Sequence, residues 1–374
     1  MYNLGDGTFA LQPKRMSPET VEALLRRILV HCEKHSQSEV VLVFHGGEPL
    51  LAGKLFFRNF CQQARAILHQ VVRPHFCMQT NGTLLDDEWL DILYENEIGF
   101  GISLDGPKSV NDANRIDHAG NGSYDRVVAA IRRVLADSRF DELFGSVLTV
   151  VNLDIDPVKQ YRFYRSLGLR GVDFLLPDGT YDQLPPKLQL TGNATPYADW
   201  LIAIFNEWFD SGDPSFRIRF FENIMRLVLG SQLSTDNIGG RPNEVMVVET
   251  DGGLEPVDVL KSCGDGFTKV GFNVQSNEVD DVYTSHLMRI YQSGYHALSQ
   301  DCKSCPIVRV CGGGYLPHRY SAKRGFNNRS IYCRDLMKLI KHVQGRFLKE
   351  LPESFIIRSG LHPIDELQLA PSLA

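Results

Sequence analysis

The first half of the chain alternates strand and helix patterns, which leaves few architectures open. Ser17-Pro18-Glu19-Thr20 starts a helix, with a serine cap, proline at the first helical position and an acid in the first turn. Val21, Leu24, Leu25 and Ile28 then recur at helical spacing. The apolar run at 40–44 reads as a buried parallel strand. The alternation continues with helices at 55–70 and 86–95, strands at 75–79 and 99–104, a helix at 124–135, and strands near 146–151 and 172–176. Such alternation favours a parallel sheet with crossover helices, closed or partly closed into a barrel. A doubly wound open sheet is the alternative.

In either fold a ligand sits beyond the carboxyl ends of the strands. The segments there are His45-Gly46-Gly47-Glu48-Pro49, Thr80-Asn81-Gly82 and Ser103-Leu104-Asp105-Gly106-Pro107. One glycine turn after a strand is ordinary. Three in succession, bringing Glu48, Asn81, Ser103 and Asp105 to one end of the sheet, point to a ligand. An acid there accepts hydrogen bonds from an amine or a ribose hydroxyl. Arg115, in Asn111-Asp112-Ala113-Asn114-Arg115, either pairs with a carboxylate or is a solvated surface arginine.

The eight cysteines are unevenly spread. Half of them fall in 302–333: Cys302-Lys303-Ser304-Cys305, then Cys311 followed by three glycines, then Cys333. A two-residue spacer lets two thiolates grip one inorganic centre from a single turn, and the later pair closes the shell. Four thiolates suit tetrahedral zinc or an iron–sulfur cluster. The N-terminus has no signal-peptide pattern, and this cysteine usage reads as metal binding in a reducing cytoplasm. No apolar run is long enough to span a bilayer. A net charge of -6 argues against a general nucleic-acid binder. The 374 residues, 43% hydrophobic, suffice for one large domain or two ordinary ones.

The second half changes character. Segments 197–209 and 220–229 read as helices, and the aromatic stripe Trp200, Phe205, Trp208 and Phe209 reads as core. Segments 245–249 and 254–259 flank Asp251-Gly252-Gly253 as a β-hairpin, with Cys263 just beyond. A helix at 335–350 is expected to pack outside, and 351–374 to be loose. Cys32, Cys61 and Cys77 fall in two helices and a strand and read as buried core thiols.

Taken together, the Gly-Gly-Glu-Pro turn, Gln79-Thr80-Asn81-Gly82, Ile102-Ser103-Leu104-Asp105-Gly106-Pro107 and the cysteine set resemble radical S-adenosylmethionine enzymes with a SPASM extension. The resemblance covers about 17–336. Cys311-Gly312-Gly313-Gly314-Tyr315, His318-Arg319-Tyr320, Gly325-Phe326, Tyr332-Cys333 and Phe174-Leu175-Leu176-Pro177 look closest to the peptide maturases that build cyclophane crosslinks. The resemblance implies a partial (β/α)6 barrel lacking its first strand over 1–235, a SPASM domain over 236–350 and a loose tail over 351–374. It implies that Gly46, Gly47 and Glu48 hold the amino group of S-adenosylmethionine. Ser103, Asp105 and Arg115 would face its ribose and carboxylate, the strand ending at Val151-Asn152 would line the adenine side, and Asn81 is a further cofactor-binding position. One four-iron auxiliary cluster is expected on Cys302, Cys305, Cys311 and Cys333, with Cys263 either a free thiol or an extra ligand. Implied partners are a precursor peptide and an electron donor such as a flavodoxin or ferredoxin.

The chain departs from that family in one respect. Its members carry three cysteines, spaced by three and then two residues, on the loop after the first barrel strand, and no such triad occurs here. The segment 1–6 looks like the aromatic-rich stretch that follows that loop, so the chain is expected to begin just downstream of it and to be inactive as written. Three function classes follow: a radical enzyme modifying a ribosomally made peptide, a degenerate protein that binds a peptide without catalysis, and a zinc-binding structural module.

Overall fold

The computed structural model describes residues 5–359 except 70, 118 and 234. Five strands, β1 (Glu39–Phe44), β2 (Arg73–Thr80), β3 (Ile98–Ser103), β4 (Phe144–Val150) and β5 (Val172–Leu175), form one parallel sheet in sequence order. Helix α1 (Pro18–His35) precedes the first strand. The crossovers are α2 (Lys54–Leu68), α3 (Asp87–Glu95), α4 (Lys108–Asn114) with α5 (Tyr124–Leu135), and α6 (Pro157–Ser166). A parallel sheet whose neighbours in space are also neighbours in sequence is an arc of a β/α barrel, as the alternation predicts.

Local chemistry sets the helix starts. Ser17 Oγ accepts from Thr20 N at 3.2 Å, Asp86 Oδ1 from Trp89 N at 2.8 Å and Asp156 Oδ1 from Lys159 N at 2.8 Å. Each satisfies one amide that the first helical turn leaves without a partner. The helices then bury one stripe against the sheet: Leu25 of α1, Phe57 and Ala64 of α2, Ile92 and Leu93 of α3, and Ile131 of α5. Burial of each large aliphatic or aromatic side chain contributes roughly 1.5–3 kcal/mol before conformational entropy is counted.

The second half wraps this arc. Helices α7 (Pro196–Ser211) and α8 (Arg219–Val228) lead to a small antiparallel sheet of β6 (Val247–Val248), β7 (Gly253–Glu255) and β8 (Phe272–Asn273). Short helices α9 (His286–Gln292), α10 (Gln300–Lys303) and α11 (Val308–Cys311) precede the long α12 (Cys333–Lys349) and then α13 (Glu353–Ser359). Trp200 and Phe205 of α7 are buried, as the core reading of that stripe requires.

Five expectations need correction. The 40–44 strand is not buried on both sides: β1 is the edge of the sheet, and Val41 and Val43 are each 58% exposed. Its apolar run cannot reveal this, because edge and central parallel strands share that composition. Cys32 and Cys61 are buried, but Cys77 is only half-buried, on the less covered face of β2. The C-terminal helix does not sit outside. α12 packs on α7 and α8 and buries Leu336, Leu339, Ile340 and Val343. The segment after 351 is not wholly loose, since α13 forms there; residues 360–374 lie outside the described residues, as do Gln70 and residues 1–4. Helix α4, which carries Asn111, follows a segment read only as a turn. Among the described residues no helix is long and apolar enough to cross a membrane.

Candidate functional site

The turns that follow β1, β2 and β3 meet at the carboxyl end of the sheet, and Glu48 ties two of them together. Its Oε1 accepts from Thr80 Oγ1 at 2.7 Å and from Leu50 N at 3.1 Å, and its Oε2 accepts from Asn81 N at 2.7 Å. The carboxylate thus caps the short 3-10 helix Pro49–Ala52 and locks the Asn81 turn in place. Before it, Gly46 and Gly47 are exposed with open space around them, and Gly46 has φ 126°, a conformation that L side chains rarely adopt. The backbone of this turn is therefore free to approach a ligand. Asn81 Oδ1 accepts from Thr83 N at 2.9 Å and Thr83 Oγ1 at 2.7 Å.

The third turn is built on ion pairing and buried amides. Arg115 Nε lies 2.6 Å from Asp105 Oδ2, and Asp105 Oδ1 also accepts from Val150 N at 3.2 Å. Asn111, fully buried, accepts from Asp105 N at 3.2 Å and donates to Ser123 Oγ at 3.0 Å. Below them Gln160 donates to Thr149 Oγ1 at 3.3 Å and Tyr164 OH at 3.2 Å, and Tyr164 OH donates to Leu104 O at 2.8 Å. Ser103 is buried and accepts from Gln79 Nε2 at 3.0 Å. Half-buried Asn152 follows β4 and accepts from Asp154 N at 2.9 Å. Of the eight expected positions, six lie on turns at this end of the sheet, Ser103 ends β3, and Arg115 follows α4 and reaches the site through its pair with Asp105. The supporting Asn111, Gln160 and Tyr164 were not anticipated: Asn111 was visible only as a neighbour of Arg115, and the other two lie on a helix with no motif.

A group of acids that sequence reasoning missed closes over the same mouth. His45 Nε2 is 3.0 Å from Asp258 Oδ2, and this hydrogen bond holds the imidazole above its usual range. Asp178, just beyond β5, has its carboxyl pushed up to about 6 by crowding protein and by the charges of Asp258 and Asp236. Its side chain still reaches solvent, as expected of a group lining a concavity. Asp236 is raised by burial and hydrogen-bonds Tyr315. A carboxyl with a raised pKa in a cleft, near an imidazole, can exchange a proton near neutral pH.

The four late cysteines form a second centre. Cys302 lies in α10, Cys311 ends α11, Cys333 begins α12, and the backbone of Cys305 turns back on Cys302, its N–H donating to Cys302 O at 3.1 Å. Burial raises the thiols of Cys305, Cys311 and Cys333, the last to about 12, and the charges of the other cysteines raise each further. Thiols that resist ionisation in this way need a cation to become thiolates, which fits a metal centre. Around one zinc ion the sulfurs would lie about 3.8 Å apart. Among the described residues, no three of these sulfurs lie within 4.8 Å of one another. A four-thiolate set of this kind can hold a tetrahedral zinc or an iron–sulfur cluster. Cys263 stands apart, beside Ser262 and Asp182, its thiol raised to about 12.

Two features frame this centre. Gly312 presses against Gly240 so closely that a side chain would collide with the Gly240 backbone. Arg319 is 5% exposed beside Cys302 and Cys311, and its Nε has no protein partner.

The strand order, the strand-end turns and the wrapped thiol domain define a radical SAM fold. Residues 8–155 match the model of the Radical SAM superfamily. The chain is 24% identical over 339 residues to a cysteine-type anaerobic sulfatase-maturating enzyme of Clostridium perfringens, covering 89% of this chain and 88% of that one. It is 23% identical over 350 residues to a serine-type anaerobic sulfatase-maturating enzyme of Bacteroides thetaiotaomicron, covering 88% and 81%. Native anSMEcpe solved with bound AdoMet superposes with a TM-score of 0.74 at 24% identity, over 89% of this chain and 90% of that one. The same protein with AdoMet and the Cp18Cys peptide gives 0.76 at the same identity, over 89% and 91%. The likeness extends through the C-terminal half, so the whole architecture is shared.

Proposed function

We propose that this chain is the body of a radical S-adenosylmethionine maturase that modifies a polypeptide. The observation that carries the reading is the convergence at one sheet end of the Gly46-Gly47-Glu48 turn, Asn81, Ser103, the Asp105–Arg115 pair and Asn152. In this reading the open Gly46-Gly47 backbone receives the amino group of S-adenosylmethionine, the Asn81 and Asn152 turns flank its adenine, and Ser103 with the Asp105–Arg115 pair faces the ribose and carboxylate. The cofactor, when bound, supplies radical chemistry, and the protein orients it and excludes water.

The acids above the mouth take the substrate side. In this reading Asp178, beside the His45–Asp258 pair, receives a proton from a polypeptide side chain lying over the cofactor. Cys302, Cys305, Cys311 and Cys333 hold one four-iron cluster in the C-terminal domain, which spans 236–350. The 374 residues contain no three-cysteine loop for a cluster at the barrel itself. The residues present do not fit that group. The alternative reading is a protein of this fold that binds a peptide without turnover.

Within the leading reading, sulfatase-type side-chain oxidation is suggested by the relatives and cyclophane crosslinking by the Cys311–Cys333 segment. The test compares the chain with a version carrying a three-cysteine loop ahead of Met1, both loaded anaerobically with iron and sulfide. Each is incubated with reductant, S-adenosylmethionine, a cysteine- or serine-containing sulfatase segment and an aromatic-rich precursor peptide. The version with the loop is expected to yield 5′-deoxyadenosine and a two-hydrogen mass loss in one peptide set. Peptide binding by both versions without any mass change would establish the non-catalytic reading.

A further inference from the structure

In its last turns, just before β1, α1 carries His31 and His35 one helical turn apart, and both imidazoles converge on a carboxylate from another element. His31 Nδ1 is 2.6 Å from Asp280 Oδ1, and His35 Nε2 is 3.0 Å from the same oxygen and 3.1 Å from Oδ2. One ligand atom from each of the three residues lies within 4.8 Å of the others. The ring centroids are 4.5 Å apart, and Tyr283 flanks His31.

We propose that His31, His35 and Asp280 form a site for a divalent transition-metal ion of the zinc type, which clips the end of α1 to the 3-10 turn Val279–Thr284. Positions i and i+4 put both imidazoles on one helix face, and two imidazoles with one carboxylate are a donor set that zinc takes with a water as fourth ligand. The carboxylate is held independently of the histidines. A reciprocal capping pair of Glu278 and Asp281 fixes its turn, and Arg27 binds Glu278 and donates from Nε to Val274 O at 3.1 Å. A site whose ligands come from two separately anchored elements needs little reorganisation to close.

The charges around the site set its strength. Lys34 Nζ lies 2.7 Å from Asp280 Oδ2 and competes with a metal ion for that carboxylate, while Asp281 and Glu278 add negative potential. Lys34 is thus a competitor, and its removal acts in the opposite direction to removal of a ligand. That opposition distinguishes a metal site from a hydrogen-bonded clamp, in which Lys34 and the histidines support the same contact.

The experiment is calorimetric titration of zinc chloride into the cluster-loaded chain and into the His31→Ala, His35→Ala and Lys34→Ala variants. All four proteins keep the same cysteines, so any binding by thiols is a shared background. His35 and Lys34 are exposed enough for their variants to fold. Wild type is expected to take one zinc ion beyond that background and to melt at a higher temperature with zinc. Each histidine variant should lose at least about tenfold in affinity, and Lys34→Ala should gain about threefold or more. Equal binding by wild type and both histidine variants overturns the site. So does a failure of both wild type and Lys34→Ala to bind zinc beyond the background.

Discussion

Arg115 and Asp105 hold each other: Nε to Oδ2 is 2.6 Å, with the two side chains only 12% and 15% exposed. Two residues expected to face separate parts of one ligand form a single preformed element of its site. The wall that meets a ligand's carboxylate or ribose is then the outer surface of a salt bridge, already oriented.

That pair makes a stability prediction. Arg115→Ala leaves the Asp105 carboxylate little exposed and unpaired, and should cost about 2–3 kcal/mol in urea unfolding. The double variant Asp105→Ala/Arg115→Ala should recover part of this loss, because no charge is then stranded. A double variant less stable than the sum of both single variants would show that the pair is not the unit described.

Glu48 predicts a coupled loss of order and affinity. Glu48→Ala removes the acceptor for Leu50 N, Thr80 Oγ1 and Asn81 N together. Binding of S-adenosylmethionine, measured by equilibrium dialysis, should weaken by at least about tenfold, equivalent to 1.4 kcal/mol. Glu48→Gln keeps one acceptor and should fall between the two. Tight binding that survives Glu48→Ala would remove the cofactor from this turn.

Iron analysis separates the cysteines. Wild type should retain one four-iron cluster after anaerobic loading, the double variant Cys305→Ala/Cys311→Ala none, and Cys263→Ala the full amount. A full cluster in the double variant would contradict the four-thiol assignment, and iron loss in Cys263→Ala would add a fifth ligand.

Asp335 predicts a pH dependence. It is buried at the start of α12 and accepts from Ala198 N at 2.8 Å. Burial raises its carboxyl from the ordinary 3.8 to about 6. The folded state therefore binds this proton more tightly than the unfolded chain. Its stabilising contribution is complete below about pH 3.8 and is lost as pH rises through about 6. Asp335→Asn keeps an acceptor for Ala198 and cannot ionise. Its unfolding free energy should exceed that of wild type increasingly between pH 4 and pH 8, by on the order of 2 kcal/mol at the upper end. A gap that stays constant with pH would show that Asp335 does not titrate in this range.

Much of this was readable from the sequence. The β/α alternation and the caps at Ser17 and Asp86 are local signals, and they place the sheet and the turns that line its carboxyl end. The four-cysteine spacing likewise marks its own centre. What remained hidden depends on contacts between distant segments. Asp178 and Asp236 lie in unremarkable loops and Asp258 starts a short 3-10 helix, and only the wrapping of the second half brings them to the mouth beside His45. Gln160 and Tyr164 look like any polar pair on a helix until Thr149 and Leu104 are placed next to them. The exposure of Val41 and Val43 is a property of position in the sheet, which an apolar pentad does not encode.

The bonds that link Pro177 and Tyr181 to the thiol segment also bear on the order of assembly. Tyr332 OH donates to Pro177 O at 2.8 Å, Tyr181 OH to Arg329 O at 3.0 Å and Tyr181 N to Tyr320 O at 2.9 Å. During synthesis the five strands emerge well before Tyr320, Arg329 and Tyr332, so the exit of β5 stays untethered until the last quarter of the chain arrives. Contacts this distant in sequence form late, because a long loop must first close. Loading iron onto Cys302–Cys333 would then finish the mouth as well as the metal centre. Amide exchange at 176–183 should slow when the cluster is inserted, although those residues bind no iron themselves.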